Sequence, residues 1–229
     1  MKKLSVTLSR KELFLGWGYL LLQLFVLPIL IVLADGFFSL QLSEAQLNFV
    51  LFAVNFIFTT VLLRKLLLEG GSIALLNFGR TLGAVLRGFG LYWAGSFLVG
   101  MIIGIADPEF YNVNDASIQD LASQNYTLML VATVILAPVT EELLYRGVVF
   151  GGISKTSRIL AYTVTALGFA AIHVVGYIGM YAPMHLILCL LQYIPAGLVL
   201  CYTYEKADSI WAPILLHILI NSIAMLATG

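Results

Sequence analysis

Charge is the scarcest property of this 229-residue chain: Asp, Glu, Lys and Arg together make up 10% of it, against 61% hydrophobic residues and a mean hydropathy of +0.99. Soluble domains carry roughly 25% charged residues, so a soluble globular fold is excluded and an integral membrane protein is expected. Cysteine is nearly absent as well. Only Cys189 and Cys201 occur, both in apolar stretches, which excludes a disulfide framework and leaves no local Cys/His cluster for a metal–thiolate site. The H-E-x-x-H pattern of a zinc-peptidase helix is also missing. No internal repeat, low-complexity tract or flexible Pro/Gly/Ser linker divides the chain. Membrane lipid is therefore an expected partner and nucleic acid is not.

What the chain does contain is a series of apolar runs, each long enough at about 1.5 Å per helical residue to cross a hydrocarbon core of about 30 Å. Helices are expected over 13–34, 47–63, 88–106, 127–152, 159–179, 183–204 and 209–227, with 70–87 as an amphipathic segment on the membrane surface. The fold class read from this pattern is all-α, a polytopic transmembrane bundle of about seven to eight helices forming one integral membrane domain over 1–229. The first run, from Leu13 to Ala34, exceeds the about 7–15 residues of a signal-peptide core and is expected to remain as a span.

Basic residues orient such a bundle, because Lys and Arg beside helix ends are retained in the cytoplasm. With the N-terminus inside, eleven of the twelve basic residues fall in cytoplasmic segments: Lys2, Lys3, Arg10, Lys11, Arg64, Lys65, Arg80, Arg87, Lys155, Arg158 and Lys206. The outer loops 35–46 and 107–126 hold acids and neither Lys nor Arg. A multi-pass protein of a prokaryotic plasma membrane, with a cytoplasmic N-terminus, is the expected setting.

Arg146 is the twelfth. It belongs to "APVTEELLYRGVVF", residues 137–150, where two acids and an arginine interrupt an otherwise apolar run. An ionisable residue inside a membrane helix costs at least about 2.5–3.5 kcal/mol and is a functional candidate by default. Glu142 and Arg146 are four apart and share a helical face, so they can pair. Glu141 is rotated about 100° from Glu142 and needs a different partner. Pro138, lacking a backbone donor, is expected to kink this helix and open a wet cavity beside Glu141. Phe169 and His173 are again four apart, as are His217 and Asn221. Each pair alone is equally compatible with interhelical hydrogen bonding. Together, a free carboxylate, a histidine and a His/Asn pair on three helices can surround one water and one carbonyl.

The ordered set Glu141-Glu142-x-x-x-Arg146, Phe169-x-x-x-His173 and His217-x-x-x-Asn221 resembles the three-motif signature of the CPBP family, the CAAX proteases and bacteriocin-processing enzymes also called the Abi family. The resemblance covers 141–221 and implies a catalytic core within 127–227. It implies a glutamate-dependent intramembrane endopeptidase acting on a membrane-associated peptide or protein. Glu141 with His173 would activate water, and His217 with Asn221 would hold the oxyanion. Glu142 and Arg146 would brace the helix, and Phe169 would pack behind His173.

No cofactor is favoured by this resemblance. The zinc-dependent alternative would use Glu141, His173 and His217 as ligands, with Glu142 as base or fourth ligand. A second alternative is non-catalytic: a bacteriocin self-immunity or membrane scaffolding protein, since immunity members of the family can retain all the motifs. A proton-relay transporter is disfavoured because no repeat is detectable.

Overall fold

The computed structural model describes residues 4–226, so Lys2, Lys3 and residue 227 of the expectations above lie outside the described residues. Ten helices follow one another: α1 (Arg10–Phe25), α2 (Leu27–Phe38), α3 (Glu44–Leu62), α4 (Arg64–Leu76), α5 (Phe78–Ala106), α6 (Val113–Gln124), α7 (Tyr126–Ile153), α8 (Arg158–Ile172), α9 (Pro183–Ala207) and α10 (Trp211–Leu226). No strand occurs among the described residues, and the protein is an all-α, multi-pass membrane bundle.

Local chemistry sets the helix ends. Ser9 and Ser43 each accept from the backbone N–H three residues on, while Glu12 and Gln46 reach back to the serine N–H, satisfying donors that would otherwise be orphaned. The expected helix 13–34 is instead the pair α1 and α2, bent by 52°. Pro28 explains the break: it can donate no helical hydrogen bond and its ring collides with the carbonyl of the preceding turn. The expected surface segment 70–87 is also redrawn. Its first part belongs to α4, and from Phe78 the chain runs as one 29-residue helix through Ala106.

Four helices, α3, α5, α7 and α9, are long and apolar enough to cross a membrane, and the bent pair α1–α2 makes a fifth. Helices α8 and α10 have 15 and 16 residues. At about 1.5 Å each they fall short of the full spans expected at 159–179 and 209–227. The outer surface keeps apolar side chains such as Phe14, Ile105 and Ile159 exposed, as expected where lipid replaces water.

The core lies between α7, α8, α9 and α10, with Leu143, Leu144, Val148, Phe169, Leu200, Ile214 and Leu216 buried together. Close approach there depends on missing side chains. A Cβ on Gly197 of α9 would come within 2.8 Å of the Ala166 backbone in α8, and one on Gly88 of α5 would collide with Thr203 Oγ1. Gly197→Ala should therefore force α8 and α9 apart at a cost of about 1–3 kcal/mol. Gly100→Ala, where nothing lies within 4 Å, should leave stability unchanged or raised. Thermal unfolding in detergent, followed by a thiol-reactive dye reporting exposure of buried Cys189 and Cys201, checks both.

Candidate active site

The site is built on α7, whose hydrogen bonding changes twice along its length. Ala132–Leu136 and Glu142–Phe150 are π-helical, and the α-helical turn Ala137–Glu141 lies between them. The wider turns show in the backbone: Ala137 N–H donates to Ala132 O and Gly151 N–H to Arg146 O, five residues back in each case. Such insertions gather at functional sites because they re-aim side chains without ending the helix. Pro138 sits at the start of the intervening turn, where its missing N–H does least harm. The perturbation expected at Pro138 is thus a change of helical winding on both sides of Glu141, and all nine residues from Glu142 to Phe150 are buried.

Within this segment Arg146 and Glu142 are both 0% exposed and pair at 2.9 Å between NH1 and Oε1. The same Oε1 accepts from His217 Nδ1 at 2.8 Å, which joins α10 to α7. Arg146 NH2 donates to Gly197 O at 3.1 Å, which adds α9. The guanidinium carbon lies 4.5 Å from the centre of the Phe169 ring, which adds α8. One buried cation therefore meets a carboxylate of its own helix and, from the helices packed around it, a carbonyl and an aromatic face. Phe169 also meets His217 edge-on at 5.6 Å and His173 at 4.9 Å.

Glu141 stands apart from this network. Its Oε2 is buried and has no hydrogen-bond partner among the described residues, whereas Glu142 binds two donors through Oε1. Of two neighbouring acids, one is committed to structure and the other is left with bonding capacity.

His173 lies beyond the last residue of α8, as its C-cap, instead of deep inside a helix over 159–179. Its Nδ1 sits 2.8 Å from Phe169 O; a carbonyl only accepts, so Nδ1 carries hydrogen and Nε2 keeps its lone pair in the neutral ring. Tyr193 of α9 stacks on the imidazole at 4.2 Å and 20°. The Tyr193 hydroxyl donates to Asp115 Oδ1 at 2.8 Å and accepts from Asn114 Nδ2 at 3.1 Å. Asn221 Nδ2 donates to Thr133 O at 2.8 Å, and its amide retains a second N–H.

His173, Tyr193, Asn221 and Thr133 share the wall of one cavity of about 310 Å³, together with Asn114, Asp115 and Gln119 from α6. Of the seven motif residues this wall includes two, His173 and Asn221. Glu141 and His217 are not part of it. Glu142, Arg146, Phe169 and His217 form the buried cluster. Tyr193, Thr133 and the α6 residues belong to no motif, and only the packing of α6 and α9 brings them here. The zinc set of Glu141, His173 and His217 is not assembled: among the described residues no three His, Cys, Asp or Glu side chains gather as metal ligands. His217 Nδ1 is engaged by Glu142 and His173 Nδ1 by a carbonyl.

Removing one partner of a buried ion pair leaves the other charge uncompensated. Glu142→Gln is expected to lower stability by about 3–5 kcal/mol. The double variant Glu142→Leu/Arg146→Leu should lose less than the sum of its single variants, because the pair acts as a unit. Melting in detergent for the single and double variants is the measurement, and strict additivity would show that the pair is not a unit.

The family model described as "Type II CAAX prenyl endopeptidase Rce1-like" matches residues 123–223, a segment containing all seven motif residues from Glu141 to Asn221. The "Putative membrane peptidase YdiL" of Bacillus subtilis (strain 168) is 27% identical over 151 residues, 61% of this chain and 57% of that protein. The match thus spans a little over half the length of that relative. No solved structure matches. These two similarities support the CPBP/CAAX protease family.

Proposed function

We propose that this protein is an intramembrane endopeptidase that hydrolyses a peptide bond of a membrane-associated peptide or protein, with Glu141 and His173 activating water and His217 and Asn221 stabilising the oxyanion. The observation that carries the reading is the contrast between the two adjacent carboxylates. Glu142 is held through Oε1 by Arg146 and His217, while Glu141, half-buried, is bonded to neither and keeps a buried Oε2 without a partner. Neighbouring acids whose surroundings differ this sharply are suited to different tasks.

In the proposed reaction Glu141, with the Nε2 lone pair of His173, takes a proton from water as its oxygen attacks the scissile carbonyl carbon. The tetrahedral intermediate carries its charge on the former carbonyl oxygen, where the spare N–H of Asn221 and the Nε2–H of His217 donate. Collapse breaks the C–N bond, and the proton returns to the departing amine. Both ring nitrogens of His217 act as donors in this step, Nδ1 to Glu142 and Nε2 to the oxyanion.

Glu141→Gln keeps the shape of the side chain and removes the base. It is expected to lower cleavage of a membrane-peptide library by purified protein at least about 10²-fold while the melting temperature stays within error. Undiminished cleavage, or an undiminished cellular phenotype at normal protein level, would favour scaffolding over catalysis. Asn221→Ala is expected to reduce kcat about 10²–10³-fold with KM nearly unchanged, which steady-state kinetics on the same peptide reads directly.

A further inference from the structure

The cavity that presents His173 and Asn221 lies toward one end of the bundle, and charge distinguishes the two ends. At one end, Lys155 Nζ donates to Leu8 O, Arg158 pairs with Glu205, and Arg80 lies 3.9 Å from Asp208. Ser209 and Trp211 bind the carbonyls of Gly70 and Leu67, so the starts of α1, α4, α5, α8 and α10 and the end of α9 meet there. Every Lys and Arg of the described residues except Arg146 falls in these segments, in the α7–α8 connection or, for Arg87, in the first third of α5. The opposite end joins α6 to α9 through Asn112 and Gln192, α6 to α3 through Gln124 and Ala45, and α7 to α10 through Tyr126 and Met225. Neither Lys nor Arg occurs between Arg87 and Arg146, or between Arg158 and Lys206, so this end has no basic residue.

The cavity belongs to this second end. Asn114, Asp115, Ile118 and Gln119 of α6 line it, and Ala224 and Met225, at the last turn of α10, complete the wall. His173 follows the terminus of α8 that points the same way, and Asn221 is five residues from the end of α10. Basic segments stay in the cytoplasm, and acids contribute little to orientation.

We infer that the cavity leading to His173 and Asn221 opens on the non-cytoplasmic face of the membrane, beneath helix α6, and admits an extended peptide segment presented from that side. The wall suits such a guest. Asn114 and Gln119 offer amide groups to a peptide backbone, and Ile118, Ala224 and Met225 offer an apolar surface to its side chains. The Tyr193 hydroxyl, bonded to Asn112, Asn114 and Asp115 while its ring stacks on His173, fixes α6 over the entrance. The peptide as guest rests on the endopeptidase reading above; the direction of opening does not.

Single cysteines placed at Gln119, Ala224 and Thr156, all exposed positions, test the opening in intact cells expressing the full chain. A membrane-impermeant sulfonated maleimide is the probe, and the parent chain, whose two cysteines are buried, gives the background. Gln119→Cys and Ala224→Cys are expected to be labelled in intact cells, and Thr156→Cys only after permeabilisation. Labelling of Thr156→Cys in intact cells would reverse the orientation and overturn the inference. So would an Ala224→Cys that stays unlabelled while Gln119→Cys reacts, because the cavity would then be closed to that side. Should Ala224→Cys fail to fold by its melting profile, Asn114→Cys on the same wall takes its place. Labelling needs no turnover, so a protein labelled as expected but inactive on peptides would remove only the endopeptidase reading.

Discussion

The buried pairing of Arg146 with Glu142 is the constraint on which the rest of this structure depends. A guanidinium cannot lose its proton under ordinary conditions, so packing it among apolar helices requires compensation from several directions at once. That compensation comes as a carboxylate from its own helix, a carbonyl from α9 and an aromatic face from α8. Each partner must arrive at its place for the others to be worth burying. The result is a junction that fixes how α7, α8 and α9 meet, and His217 on the shared Glu142 oxygen ties in α10. Glu142 Oε2 and Arg146 Nε remain buried without partners. The network is therefore incompletely satisfied, as expected of polar groups kept for position more than for stability.

Charge placed there also shapes what stands next to it. The π-helical winding of α7 changes the angular step along the helix on either side of Glu141, and two sequence neighbours acquire different surroundings. One carboxylate binds Arg146 and His217 through Oε1, the other is bonded to neither, and each keeps a buried Oε2 without a partner. Family similarity and this difference in bonding are independent lines, one from sequence and one from geometry.

Much of the arrangement was legible in the residues themselves. The apolar content required membrane helices, and the four-residue spacing of Glu142 and Arg146 predicted the pair that forms at 2.9 Å, because i,i+4 side chains stay within reach on any helical face. Other features were not legible. A continuous apolar run across 13–34 says nothing about the 52° bend at its middle, since a proline such as Pro28 is also tolerated within membrane helices. His173 was expected deep inside a helix and instead caps one. The apolar run continues past it, so hydropathy alone carries no signal where the helix stops.

The sequence by itself determined the fold class, the family signature and the asymmetry of basic residues between the two ends, because each depends on composition or spacing along one chain. Only the tertiary structure decided that His217 turns toward Glu142, that Arg146 reaches a carbonyl of α9 and a ring of α8, and that Tyr193 and α6 stand over His173. Those outcomes depend on which side chains from separate helices compete for the same buried donors and acceptors. No linear spacing encodes that competition.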